Sequence, residues 1–283
     1  MRPDGIRVKD ADPMYSLIPY FLTKRYDSMN MITIDLPEEP MKDYINKKRR
    51  EKTPVSHLAL LIAAYVQVVA EFPAINRFVK NKRIFQHKDI TVSMVVLRPG
   101  NDNDTMSKIY FTPDDTLMDV QNKINEYITE NRKDNNANKL DKWMNVLLKV
   151  RPVVRIAIDL ITWLDNIGLL PMAVIKASPF HASLLVSNLA SIRTNHIYHH
   201  VYEFGTTSIA ITMGNMEEVP RRTRDGIVFD RCIPLGVVMD ERICSGHYFA
   251  QAFTRMREYL KNPELLETSY AAKHPELAED KAK

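Results

Sequence analysis

The spacing of hydrophobic and polar positions changes several times along the chain. Residues 31 to 36 (Met-Ile-Thr-Ile-Asp-Leu) alternate and are rich in β-branched side chains, which predicts a half-buried strand. Glu38 to Lys52 then reads as a charged helix ending near Thr53-Pro54. Thr53 as cap with Pro54 in the first turn opens a second helix, Val55 to Phe72. Its apolar run from Leu58 to Ala64 is shorter than the roughly 20 residues a bilayer needs, and the helix holds His57 and Gln67, so a buried core helix is expected. Thr91 to Leu97 is nearly continuous hydrophobe, as expected of a strand covered on both faces. Lys108 to Phe111 is its neighbour across a polar loop. Leu117, Val120, Ile124, Tyr127 and Ile128 fall on one face of a helix that follows Asp114-Asp115.

Residues 131 to 141 are polar and Asn-rich, and Trp143 to Ile175 is helical with breaks at Pro152 and at 168–171. Val154, Ile158, Ile161 and Leu164 form an apolar stripe there, and Arg155 and Asp159 are spaced for an i,i+4 pair. Such a stripe covers a core or a neighbouring subunit, or lies on a membrane surface. The lack of a strongly cationic side favours the first, and membrane association is not expected. Ile158 and Leu164 would then be buried. The last hundred residues are strand-rich, at 184–187, 207–213, 227–229 and 235–240, with Asp225-Gly226 as a turn signal. A closing helix, His247 to Lys261, turns Phe249, Ala252, Phe253, Met256 and Leu260 inward and stops at Asn262-Pro263. The pattern fits one α/β (α+β) domain with helices packed on a mixed sheet.

Composition narrows the chemistry. The 283 residues carry 39 Lys+Arg against 35 Asp+Glu, a net charge of +4 that is too small to argue for nucleic acid. Lys47-Lys48-Arg49-Arg50 lies among Glu38, Glu39 and Glu51 without an aromatic platform and reads as a solvated face, while Arg221, Arg222 and Arg224 read as hairpin-tip charges. No two of the eight glycines are separated by a single residue, which excludes a G-x-G dinucleotide loop and a P-loop. Cys232 and Cys244 have no second pair to form a zinc knuckle, and no apolar leader opens the chain, so a cytoplasmic location is expected. His196, His199 and His200 would converge on a metal only in a helix. They lie between two predicted strands, so the expectation is a loop of satisfied histidines, or one lining a cleft, and no metal.

Four segments together bring a family into view. Asp240-Glu241-Arg242-Ile243-Cys244-Ser245-Gly246, followed by a helix and Asn262-Pro263-Glu264-Leu265-Leu266, resembles a signature of the form D-H-R-x-x-D-G, helix, N-P with L-L. Leu184 to Leu189 resembles an F-T-I-S-N-L strand, Ile209 to Glu217 an A-I-L-G-V-G-x-I-E strand, and Val68 to Asn76 an A-L-x-x-Y-P-x-x-N helix end. These are motifs of the catalytic domain of the acyltransferase component of 2-oxoacid dehydrogenase complexes and of the related chloramphenicol acetyltransferases. The resemblance spans residues 25 to 266, apart from 140 to 175. It implies a two-layer chloramphenicol acetyltransferase-like sandwich, coenzyme A or acyl-coenzyme A as co-substrate, a small-molecule acyl acceptor, and a homotrimer with active sites at subunit boundaries.

The resemblance also implies roles for residues, and two of them are altered. Ser187 matches the serine that donates to the oxyanion, whereas Glu241 stands at the histidine base and Ser245 at the structural aspartate. A carboxylate titrates near 4.3 against roughly 6.5 for imidazole, so Glu241 serves as a base at neutral pH only if its surroundings raise it. In a second reading it pairs with Arg242 or Arg231 and does no chemistry, leaving a catalytically silent protein that binds acyl-coenzyme A or a protein partner. The candidate catalytic set is therefore Glu241, Ser187, His199 and His200. Ser187, Asn188, Ser245 and Gly246 are the candidate coenzyme A contacts, with no metal and no lipoyl group on this chain. The expected organisation is an N-terminal arm at 1–24, a catalytic domain at 25–268 with an extra helical insertion at about 140–175, and a polar tail at 269–283.

Overall fold

The computed structural model describes residues 2–97, 104–133 and 151–275. In chain order the strands are β1 (Gly5–Arg7), β2 (Met29–Pro37), β3 (Arg77–Lys80), β4 (Arg83–His87), β5 (Ile90–Leu97), β6 (Asp104–Phe111), β7 (Leu184–Asn188), β8 (Ile209–Met213), β9 (Glu217–Thr223) and β10 (Gly226–Asp240). Seven of them form a mixed sheet in the order β2-β10-β8-β7-β5-β6, with β9 paired to β10, and β1-β4-β3 form a separate small sheet. Only the β5–β7 and β7–β8 pairings are parallel. That arrangement puts β7, the strand bearing Ser187, in the middle.

The helices are α1 (Pro13–Phe21), α2 (Glu38–Arg50), α3 (His57–Glu71), α4 (Leu117–Lys133), α5 (Arg151–Ile167), α6 (Met172–Ala177), α7 (Gly246–Lys261) and α8 (Tyr270–Lys273). α3 is buried on every residue from Leu58 to Val69, as its unbroken apolar run requires. Its cap is Ser56 and not Thr53. The Ser56 hydroxyl accepts from the Ala59 N–H at 3.1 Å, while the Thr53 hydroxyl donates back to the Lys48 carbonyl at 3.4 Å and closes the preceding helix. The inward residues of α3, α4 and α7 share one core with Ile34, Val92, Val186, Ile211 and Val237 of the sheet.

The opposite sheet face carries a smaller cluster, Leu185, Ala210 and Val238, closed by Val201. Residues 195–201 cross this face so closely that glycine is required beneath them. A Cβ at Gly236 would stand 2.3 Å from the Ile197 carbonyl oxygen, and one at Gly214 would stand 2.3 Å from the His196 nitrogen. β10 runs unbroken where the pattern suggests two strands, because its first half pairs with β9 and its second with β2 and β8. Arg221 is not a free tip charge. It lies in β9 and pairs with Asp230 of β10.

α5 departs from the expected burial. Val154, Ile161 and Leu164 are half-buried, but Ile158 is 56% exposed, as are Val153, Ile156, Leu160 and Trp163 to a similar degree. Within one chain Ile158 therefore covers no core. The helix is pinned at its end instead, by the fully buried Asp165. Its carboxylate meets Arg2 Nη2 at 2.8 Å, Lys80 Nζ at 2.7 Å and His181 Nε2 at 3.2 Å. The stretch 134–150, which includes Trp143 and the start of the predicted helical region, lies outside the described residues.

Candidate active site

Ser187 lies at the end of β7 on the face away from the helices, opposite Thr212 of β8 in the register. Thr212 in turn faces Gly236 of β10, and Gly236 faces Thr33 of β2. Because side chains two apart share a sheet face, these four positions form one row across the sheet. The crossing segment lies over it. Thr212 Oγ1 accepts from the Ile197 N–H at 3.1 Å, and Thr33 Oγ1 meets Tyr198 Oη at 2.6 Å and His196 Nε2 at 3.2 Å. The His196 Nδ1 is buried without a hydrogen-bond partner. Ser187 itself is half-buried.

Glu241 is elsewhere. It follows β10, with its N–H donating to the Ser28 carbonyl at 2.9 Å and its carboxylate accepting from Asn30 Nδ2 at 2.7 Å. From Gly236, level with Ser187, to Glu241 is five residues of strand, about 17 Å, and two strand spacings, about 10 Å, intervene sideways. Roughly 20 Å thus separates Ser187 from Glu241 in one chain. His199 and His200 belong to the Glu241 end: they precede Val201, whose N–H reaches Met29 Sδ at 3.4 Å, and Met29 pairs with Asp240. Their rings stack at 5.1 Å. Asn188 stays beside Ser187, whereas Ser245 and Gly246 open α7 beyond Glu241.

The expected arginine partners of Glu241 are engaged elsewhere. Arg242 clamps the fully buried Asp240, at 2.8 Å and 2.7 Å, with Arg25 at 3.5 Å on the same carboxylate. Arg231 pairs with Glu38 at 3.3 Å. Ser245 caps α7, its hydroxyl accepting from the Tyr248 N–H at 3.0 Å, which is a task an aspartate performs equally well. Both thiols are held in the protonated form: burial raises both, with nearby carboxylates adding to the rise at Cys232, and Cys244 is pushed up to about 12. Among the described residues no group of three or more His, Cys, Asp or Glu is placed to hold a metal.

Asn30, Thr33 and Tyr198 do not figure in the sequence-derived readings, and His196 does so only as one of the three loop histidines. Asn30 and Thr33 are the outlying polar members of an alternating strand, but the partners that give them meaning lie 163 to 211 residues away. Gly236, inside a β-branched run, is the one local signal that another backbone passes close above β10.

The sequence model of the family described as 2-oxoacid dehydrogenases acyltransferase (catalytic domain) matches residues 181–268, the stretch from His181 through β7, β8, β10 and α7. No curated protein matches the chain. Among solved structures the chain is similar to a probable dihydrolipoamide acetyltransferase from Listeria monocytogenes, at 13% identity and a TM-score of 0.59 over 91% of this chain and 95% of that one. The dihydrolipoamide acetyltransferase of Azotobacter vinelandii gives 13% identity and 0.59 over 92% and 94%. A chloramphenicol acetyltransferase gives 10% and 0.54 over 90% and 99%. With its mixed sheet, its helical layer and the crossing segment over β8 and β10, the chain has the fold shared by these acyltransferase cores and chloramphenicol acetyltransferase.

Proposed function

We propose that the chain is a coenzyme A-dependent acyltransferase whose active site assembles only between two copies. What supports this is the separation of Ser187 and Glu241 in one chain, about 20 Å: the serine and the glutamate at the positions that resemble the family's two catalytic ones sit at opposite ends of one sheet, each half-buried. A homotrimer built like the family's would bring the Ser187 end of one copy against the Glu241 end of the next. Ser187 donates its hydroxyl to the tetrahedral oxyanion, and Glu241, oriented by Asn30, takes the proton of the acceptor thiol, hydroxyl or amine. Ser187 with Asn188 from one copy, and Ser245 with Gly246 from the other, flank the coenzyme A thiol end. His199 and His200 reach the same cleft from the Glu241 side. Contact with a partner surface would also remove Glu241 from water, which is the condition for a carboxylate to serve as base near neutral pH. A cytoplasmic setting fits two free cysteines, and no described helix is long and apolar enough to cross a membrane.

A second reading has its own observation. The structural part of the signature is intact, in the Asp240–Arg242 clamp and the Ser245 cap, while the imidazole is gone. That is what a silent fold retained for acyl-coenzyme A binding would show. Turnover of acetyl-coenzyme A with a panel of small thiols decides between them. Under the first reading Glu241→Gln and Ser187→Ala each lower turnover about 100-fold or more while coenzyme A binding by calorimetry persists. Binding without turnover in the wild-type chain selects the silent reading.

A further inference from the structure

Away from the Ser187 row, a cavity of about 600 Å³ lies between the small sheet β1-β4-β3 and the end of α5. That is the size of a small-molecule site. Its wall has an unusual charge pattern. Arg2 and Lys80 are buried at its base and already neutralised, by Asp4 and Asp165. Four more cations, Arg7, Lys9, Arg83 and Lys88, line it as well, and among the described residues no carboxylate lines the cavity with them. Arg7, Lys9 and Arg83 have no ion-pair partner among the described residues. Lys88 holds only the Pro3 carbonyl, at 2.9 Å. Four like charges gathered round a concavity repel one another, and the arrangement becomes favourable when an anion enters.

The remainder of the wall is apolar. Ile6 and Ile167, exposed at 60% and 42%, line the cavity together with the buried Phe85. Gly168 closes the rim with φ +79°, and a Cβ there would stand 3.0 Å from Arg2 Cγ, so the chain turns tightly over the base without filling the space. The base is rigid, being the Arg2, Asp4, Asp165 and Lys80 network itself.

We propose that this cavity binds an organic polyanion: two or more phosphate-type charges held by Arg7, Lys9, Arg83 and Lys88, on a body with an apolar or aromatic face that lies against Ile6, Phe85 and Ile167. The inference does not depend on the acyltransferase reading, since none of these residues belongs to the Ser187 row or to the Glu241 loop. The concave shape favours a small ligand over a flat anionic surface.

The test is calorimetry on the full chain with inorganic pyrophosphate, with adenosine diphosphate, and with phosphatidylcholine vesicles containing phosphatidylserine. Pyrophosphate is expected to bind with an affinity that falls as salt rises, and the nucleotide about tenfold more tightly because it adds the apolar contact. The double variant Arg7→Ala, Arg83→Ala changes exposed side chains and leaves the fold intact. It should weaken both ligands tenfold or more. Ile6→Ser should weaken the nucleotide and leave pyrophosphate unchanged. Binding that is the same in the double variant, vesicle association without pyrophosphate binding, or no binding of either soluble ligand would overturn the proposal.

Discussion

At the scale of single residues, Ser245 caps α7 through the Tyr248 N–H. An aspartate caps a helix as well as a serine does, so Ser245→Ala should cost about 1 kcal/mol in urea unfolding and Ser245→Asp almost nothing. Under the acyltransferase proposal, Glu241→His combined with Ser245→Asp matches the resembled signature and should raise activity toward small thiols. His87 sets a pH dependence of its own. It is buried with Nε2 3.3 Å from the Thr206 carbonyl, and burial depresses it to about 4. Its native form is therefore neutral where the unfolded chain, near 6.5, already binds a proton. The stabilising difference is complete above about pH 6.5 and is lost as pH falls toward 4, on the order of 3 kcal/mol at most. His87→Gln should flatten that slope between pH 4 and 6.5 and leave the loss below pH 4 in place. There Asp165 takes over: burial would raise it, but the hydrogen bond with His181 and the charges of Lys80 and Arg2 hold it well below the usual carboxylate range. Ser187 and Glu241 are singled out by motif because each sits in a run of neighbours that resembles the family's. Asn30 and Thr33 are not, since a hydrogen bond across 211 or 163 residues leaves no local pattern.

At the scale of elements, legibility followed length and periodicity. α3, α4, α7, β2, β5 and β7 stand where the alternation and the 3.6-residue stripes put them, because each buries a full face in the core. β1, β3 and β4, of three to five residues each, are too short to show a period. β9 is mostly exposed and arginine-rich and looks like a loop until its pairing with β10 is seen. α5 shows a different limit. Its stripe was visible, but nothing local says that a charged residue, Asp165, would be the anchor. An apolar helix held by a buried carboxylate makes a sharp prediction. Asp165→Asn leaves Arg2 and Lys80 buried without compensation and should cost about 3–5 kcal/mol in urea unfolding. The control, Asp159→Asn, breaks only the exposed 3.9 Å pair with Arg155 and should change stability by no more than about 0.5 kcal/mol.

At the scale of the whole molecule, two helices carry rows of exposed apolar side chains among the described residues. Val153, Ile156, Leu160 and Trp163 follow one another at spacings of three and four along α5, each about half exposed or more, and Met14, Leu17 and Phe21 do the same on α1. Ser187 and Glu241 meanwhile lie on the sheet at a separation that a single copy cannot close. Both facts have the same resolution if copies of this chain cover one another and share the catalytic halves. Sedimentation velocity at micromolar concentration should then give three chains per particle, and a particle of one chain would remove the shared-site mechanism with it. Trp163 reports on the α5 stripe directly. In a Trp143→Phe background its emission should be blue-shifted in the assembled particle and move to longer wavelength on dilution below the dissociation range, at constant far-ultraviolet circular dichroism. Emission that shifts only when anionic vesicles are added, with cosedimentation that survives high salt, would instead assign the stripe to a membrane surface.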